Sequence, residues 1–394
     1  MSVRVFSFFL PVLLALAGCR PDTDIPISDS GVPAETGYRI EVVAEGLFLP
    51  WSLAWLPDGT AIITEKRGTL RTLRDGILGD PIDFPATVTS GGPGGITEGQ
   101  GGLLDVAVSP AFSADRLLYF TYATGDETAN RTTVGRGRWA DGELTEFESL
   151  WQNPVDKPAG QHFGSRLIFL LDGTLIVSVG DGGNPPVSFQ GEDIRLQAQK
   201  PANAFGSTIR LNPDGSIPDD NPDFGVPTVP GLWTYGHRNI QGMTRDAETG
   251  DVWANEHGAF RGDELNLLQA GRNFGWPAAT FSRNYYVPTR ISDHISLPEM
   301  EDAKLVWMKT NAPSGLAVSR GSAFPDWDGA VLSGSLKTKS VRVVQFGLNK
   351  THPRETQIPL KQRVRDVRVG PDELIYVLTD SAEGQLLRIV PDEI

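Results

Sequence analysis

Apolar residues in this chain fall in short runs, and the three-and-four spacing of amphipathic helices is poor throughout. Two such runs repeatedly flank a turn containing Pro-Asp, Asp-Gly or a similar pair. The unit appears as SLAWLPDGTAIITEK (52–66), LLDVAVSPAFSADRLLYFTYA (103–123) and SRLIFLLDGTLIVSVGD (165–181). It returns as QGMTRDAETGDVWANEHG (241–258), GLAVSRGSAFPDWDGAVLSGSLK (315–337) and DVRVGPDELIYVLTD (366–380). Asp-Gly between apolar runs marks a β-hairpin. A β-sandwich with unrelated hairpins would explain each copy singly. Six similar hairpins fit better an all-β, six-bladed β-propeller of four-stranded antiparallel blades, because each blade then buries its faces against its neighbours.

The residue leading into the first strand of a hairpin and the residue leaving the second lie at the same end. If the first strand of each blade lines the axis, these positions gather at one mouth. The leading stretches are GQGG (99–102), GQHFG (160–164), GHRNIQG (236–242), NAPSG (311–315) and RVRD (363–366). The trailing ones are TEK (64–66), GDGG (180–183), NEHGA (255–259), SLK (335–337) and LTD (378–380). One rim therefore collects Gln100, His162, Asp181, Arg238, Asn239, Lys337, Arg363 and Arg365, while the opposite ends carry turn residues.

Charge sharpens that picture. Lys and Arg number 35 against 49 Asp and Glu, a net of −14, which argues against nucleic acid as a partner. Arg238, Lys337, Arg363 and Arg365 nonetheless share one rim. Like charges so crowded repel and call for an anion. Guanidinium forks match carboxylates, so a multiply carboxylated ligand is expected. His162, one of five histidines, is placed to act as a base near neutral pH. Asp181 either orients it or binds a substrate hydroxyl. Taken one at a time, these residues have plain structural explanations: a packed histidine, a turn aspartate, solvated rim arginines. Their common position in separate repeats favours a site.

A second cluster is NEHGAFRGDELNLLQAGRNFGWP (255–277). Acidic side chains, glycines and loop carbonyls suit a hard cation with oxygen ligands, with Glu264 the best side chain for it. His237 and His257 lie nearby without zinc-like spacing. DGSIPDDNPDFG (214–225) lacks EF-hand spacing and reads as a turn-rich loop.

The N-terminus is read apart from the fold. MSVRVFSFFLPVLLALAGC has Arg4, an apolar run too short to span a membrane, and a small-residue cleavage site. Leu16-Ala17-Gly18-Cys19 resembles the lipobox of bacterial lipoproteins, and Cys19 is the single cysteine. The expected organisation is a signal peptide over 1–18, a flexible tether over 19–36 beginning at an acylated Cys19, and one catalytic propeller over 37–394. An ordinary cleaved signal peptide is the alternative. Membrane contact would then be only through the lipid, on the periplasmic side of the cell envelope. Arg20 after the cysteine favours the outer membrane.

The motifs GQGGLLDVAVSP, QHFGSRL, VGDGG, STIRLNPDGSIPDDNP, YGHRNIQG, NEHGAFRGDELN, RNFGWP, SLK and RVRDVRVGPD, in that order, resemble the soluble quinoprotein glucose dehydrogenases. They are closer still to the bacterial aldose sugar dehydrogenases. The likeness runs from about residue 38 to the end. It implies a six-bladed propeller holding pyrroloquinoline quinone, a tricarboxylate, against Arg238, Asn239, Lys337, Arg363 and Arg365. It implies one Ca2+ on the carbonyls of Gly258 and Ala259, where proline is usual at Ala259. A second would use Glu264 and the carbonyl of Phe274, where tyrosine is usual. His162 falls on the catalytic base, Gln100 on its partner beside substrate and quinone, and Asp181 on a substrate-side aspartate. The implied reaction takes a proton from the C1 hydroxyl of a cyclic aldose and a hydride from C1 to the quinone. It yields a lactone and passes electrons to an external acceptor. A calcium-dependent lactonase on a similar propeller, or a sugar- or protein-binding propeller without the quinone, are the rival expectations.

Overall fold

The computed structural model describes residues 25–29, 31–92, 95, 99–184 and 187–392. The leader 1–18 and Cys19 lie outside the described residues. Six antiparallel sheets follow one another around a ring, and helix is confined to short turns such as Phe112–Asp115. The protein is a six-bladed β-propeller, as its hairpin pattern predicts.

Blade 1 is built from Pro50–Trp55, Ala61–Glu65, Thr69–Arg74 and Ile77–Leu78. Blade 2 uses Leu103–Val108, Leu117–Gly125, Asn130–Ala140 and Glu143–Gln152; blade 3 uses Leu167–Phe169, Leu175–Val179, Ser207–Leu211 and Leu232–Tyr235. Ile240–Arg245, Val252–Glu256, Asp263–Leu268 and Leu305–Trp307 make blade 4. Pro313–Val318, Val331–Ser335, Ser340–Gln345 and Arg354–Pro359 make blade 5. Blade 6 takes Val364–Val369, Ile375–Thr379 and Gly384–Pro391 from the C-terminus and its outer strand, Tyr38–Leu47, from the N-terminus. That pairing closes the ring. The first strands of successive blades contact one another all the way round, from blade 6 back to blade 1.

Second strands are covered on both faces, so even their polar residues, such as Asn255, Glu256, Ser333 and Ser335, are buried. Ala61–Glu65, Leu175–Val179, Val252–Glu256, Val331–Ser335 and Ile375–Thr379 are buried at every position, which explains why these stretches read as mainly apolar rather than as a polar and an apolar face. The outer strand Glu143–Gln152 is largely exposed and polar by contrast. Core packing lies between blades, one cluster at each junction. Ile62 and Leu70 meet Val106 and Phe120 across blades 1 and 2, and Leu332 and Val341 meet Val364 and Ile375 across blades 5 and 6. The other four junctions have their own clusters. A blade thus has no core of its own, and the ring is one folding unit.

Two blades depart from four strands. Ile82–Asp83 pairs with the third strand of blade 1. Ile27–Ser28 adds in parallel to Val306 and Trp307 at the edge of blade 4. This second addition falls in the segment expected to be a tether. Backbone bonds from Glu35 to Gln357 and from Gln357 to Pro33 also fasten that segment to blade 5. Exposed outer strands offer unpaired amides, and a polar segment satisfies them without needing an apolar face. Among the described residues no helix is long and apolar enough to cross a membrane.

Candidate active site

Backbone bonds tie the leading residue of a hairpin to its trailing residue in blade after blade. The amide of Lys66 donates to Leu49 O at 3.1 Å, His257 to Asn239 at 3.4 Å, Lys337 to Asn311 at 3.2 Å and Asp380 to Arg363 at 2.8 Å. The rim residues named from sequence therefore lie at one end of the ring.

His162 is buried and held at φ 49°, a left-handed backbone that non-glycine residues rarely adopt. Its amide donates to Gln100 Oε1 at 2.8 Å. Its carbonyl packs so closely on Gly180 that a Cβ there would come within 2.1 Å of the oxygen, which is why GDGG begins with glycine. The ring Nδ1 lies 2.6 Å from Asp181 Oδ1. Burial by itself raises the Asp181 carboxyl, but His162, Arg238 and the Trp276 indole N–H at 2.8 Å together hold it below its ordinary value. An ionised Asp181 accepts a hydrogen bond from Nδ1–H, so the lone pair of His162 is on Nε2. That atom faces Arg238 Nη2 at 3.4 Å. Burial first, then the Arg238 charge, lower the His162 pKa from 6.5, so the ring is neutral near pH 7.

Arg238 is anchored on all sides. Its amide donates to Glu256 Oε2 at 2.6 Å, Nη1 to the His257 carbonyl at 3.0 Å, and Nη2 to Tyr285 Oη at 3.2 Å and to Asn184. His237 and Asn266 hold Glu256 in turn, each at 2.9 Å.

A cavity of about 330 Å³ opens beside this dyad, lined by Gln100, Asn239, Gln241, Arg363, Arg365, Asp380 and Lys66 among others. His162 is not in its wall, but its neighbours Phe163 and Gly164 are. A second cavity of about 690 Å³ shares His257 and Ala312 with the first and is lined by Gly258, Tyr285 and Lys337. The cations expected together are thus spread over two adjoining cavities, with Arg238 behind them.

Beneath the first cavity the axis is closed. Arg166, from the leading turn of blade 3, pairs with Asp105 of blade 2 at 3.4 Å and Asp366 of blade 6 at 3.0 Å. Arg368 pairs with the same two carboxylates at 3.0 and 2.9 Å. The Arg166 guanidinium stacks over Trp51 of blade 1 and donates to the Gln241 carbonyl of blade 4 at 2.6 Å. Two arginines and two aspartates leave the floor neutral.

The cationic rim needs one revision. The crowding of Arg363 and Arg365 does not by itself require an outside anion, because Asp380 already pairs with both at 2.7 Å. Burial raises the Asp380 carboxyl, but the two arginines outweigh it and bring it down to about 2. Asp380 and Lys66 stand in the trailing triplets LTD and TEK, the same place as Lys337 in SLK. The hairpin geometry marks them, although sequence reading passes over both. Trp276, the second partner of Asp181, carries no such mark.

A family model for glucose/sorbosone dehydrogenases matches residues 47–388. The chain belongs to the glucose/sorbosone dehydrogenase family. Membership makes it an oxidoreductase of the sugar dehydrogenase class. This family member is 35% identical to aldose sugar dehydrogenase YliI of Escherichia coli over 396 residues, 98% of each chain. It is 26% identical to quinoprotein glucose dehydrogenase B of Acinetobacter calcoaceticus, over 91% of this chain and 89% of that one. The crystal structure of the soluble E. coli aldose sugar dehydrogenase in its apo form superposes with a TM-score of 0.79 at 34% identity, covering 90% of this chain and 99% of that one.

The two calcium positions implied for this dehydrogenase differ in fit. Glu264 is half-buried and shares a small void with Phe274, Glu301 and Asp302. Burial, then Glu256, Asp263 and Asp302, push its carboxyl well up. Such concentrated negative charge suits a hard cation. Among the described residues no three His, Cys, Asp or Glu side chains are grouped for a metal, so an ion there would depend on carbonyls such as that of Phe274. The other position does not fit. The Ala259 carbonyl already accepts from Arg261 N at 2.7 Å and Arg283 N at 3.0 Å, which uses both its lone pairs. The Gly258 amide donates to Asp263 at 2.8 Å, locking the turn in that form.

Proposed function

We propose that this protein oxidises the C1 hydroxyl of a cyclic aldose to a lactone, with pyrroloquinoline quinone as hydride acceptor and His162 as general base. One observation carries the reading: a neutral imidazole, oriented by a buried carboxylate, lies beside a cavity with three cationic side chains in its wall. The printed name of the Acinetobacter relative, a quinoprotein, supports the cofactor. The cavity chemistry suits it as well. Arg363, Arg365 and Asn239 line the first cavity and Lys337 the second, so a flat tricarboxylate reaching across both meets guanidinium forks, an amide and an ammonium.

The cofactor supplies an electrophilic carbonyl that accepts two electrons as hydride. The chain does the rest. Asp181 fixes the tautomer that leaves the Nε2 lone pair of His162, which faces the Arg238 N–H, to accept the C1 hydroxyl proton. With that carbonyl in place, the C1–H bond pair would pass to it as hydride, C1 would become the lactone carbonyl, and the two electrons would go on to an external acceptor. Arg238, beside Nε2, stabilises negative charge as it develops on oxygen. Gln100 fixes the His162 backbone through its amide. Calcium would sit only at the Glu264 and Phe274 position, as a structural ion. A lactonase would want several carboxylates facing one ion, whereas the carboxylate of this cavity, Asp380, is held between two arginines.

The test is reconstitution with pyrroloquinoline quinone and calcium, followed by an assay of dye reduction with a panel of aldoses. Sugar-dependent reduction that needs the quinone is expected. A protein that takes up the quinone yet reduces no dye with any aldose would overturn the assignment. We also propose that a lipid on Cys19 holds the enzyme at the periplasmic side of the envelope. Cys19→Ser should release it from the membrane fraction, and an unchanged distribution would refute the anchor.

A further inference from the structure

Lys66 is a buried lysine that the reaction above does not use. It follows the second strand of blade 1 and lies in the wall of the first cavity with Gln100, Arg363, Arg365 and Asp380. An ammonium carries three donors. Among the described residues the hydrogen bond recorded for Lys66 Nζ goes to the carbonyl of Gly99, at 2.7 Å, and that acceptor is uncharged. The carboxylate of the same cavity wall, Asp380, is bound by Arg363 and Arg365, both at 2.7 Å. The charged groups in this wall are thus three cations, Lys66, Arg363 and Arg365, against one carboxylate.

The electrostatics agree with that count. Burial, then the Arg365 charge, bring the Lys66 amine down to about 8, and Asp380 offsets them only in part. A buried cation beside a like charge is costly unless an anion joins it. A carboxylate placed between Lys66 and Arg365 would meet the ammonium donors that have no partner among the described residues and relieve the repulsion.

We propose that Lys66 completes, with Arg363 and Arg365, a carboxylate-binding subsite in the central cavity. Lys66 is a binding residue there, on the side of blades 1 and 6. The proposal rests on the quinone reading for the identity of the natural ligand, but the subsite recognises a carboxylate as such. The other titratable groups of this wall do not change charge between neutral and mildly alkaline pH. Asp380 titrates at about 2, His257 at about 3, and arginines stay charged. Lys66 alone among them titrates in that window, so ligand affinity is tied to its charge.

The experiment is equilibrium titration of the full chain with pyrroloquinoline quinone, and separately with citrate, at about pH 7 and about pH 9.5. Wild type, Lys66→Met and Lys66→Arg are compared, with the thermal midpoint of each free protein as a folding control. One charge-assisted contact predicts about tenfold effects. Wild type should bind more weakly at the higher pH, Lys66→Met weakly at both, and Lys66→Arg well at both because its charge persists. Unchanged affinity in Lys66→Met overturns the subsite. So does a wild type whose affinity ignores pH while Lys66→Met is weak, since that pattern belongs to a lost Gly99 contact. Lys66-dependent binding of citrate without binding of the quinone keeps the subsite and removes the cofactor reading. Binding of neither probe removes both.

Discussion

His162 combines a disfavoured backbone, full burial and a carboxylate partner, and each has a chemical consequence. The left-handed φ turns the ring inward from the leading turn of blade 3. Burial and Arg238 lower its pKa from 6.5, while Asp181 works in the opposite direction. A base is competent when unprotonated, so activity should fall as pH drops through a value under 6.5. A profile of kcat/KM against pH checks this; an acid limb above 6.5 would contradict the burial argument. Asp181→Asn removes the charge that fixes the tautomer and should cut kcat roughly a hundredfold or more, with cofactor affinity little changed. His162 and the arginines were legible because turn signals fix where hairpins end. Their partners were not, since an aspartate in LTD and an indole in RNFGWP carry no label saying which side chain they will meet. The bonds on the Ala259 carbonyl are hidden for a similar reason: they come from Arg261 and from Arg283, in a loop that sequence does not place.

Strands supply the rigidity that this chemistry needs. The first strands of blades 2 and 6 bring Asp105, Asp366 and Arg368 to the axis, where Arg166 joins them. Their net charge is zero only as a set. Arg166→Leu leaves two buried carboxylates sharing one arginine, and should cost about 3–5 kcal/mol of stability. Urea denaturation measures it; a loss under about 1 kcal/mol would mean that water or relaxation replaces the ion pairs. This floor was invisible in sequence, because a charged residue within or beside an apolar strand reads alike whether it faces solvent or a countercharge. The fully buried second strands, by contrast, stood out where their runs are apolar, as in Leu175–Val179 and Ile375–Thr379.

At the scale of the whole molecule, closure is the decisive feature. Tyr38–Leu47 completes blade 6, and Ala44 and Leu47 enter the junction with blade 1. The hairpin count predicts six blades, yet where the ring closes is a pairing across almost the full chain length that no local signal records. A chain beginning at residue 48 should lose that junction and unfold several degrees lower by calorimetry. An unchanged midpoint would show that the outer strand is dispensable. Closure also brings Lys66 of blade 1 beside Arg365 of blade 6, so binding and ring integrity should be linked: a carboxylate ligand in the cavity stabilises the fold by mass action. The central claim, however, is that a proton leaves the sugar to one imidazole. The most direct measurement is kcat of His162→Ala reconstituted with pyrroloquinoline quinone and calcium, with bound quinone quantified in the same sample. A normally loaded variant slower by roughly a hundredfold to ten-thousandfold is the predicted result; a normally loaded variant as fast as wild type would contradict the account.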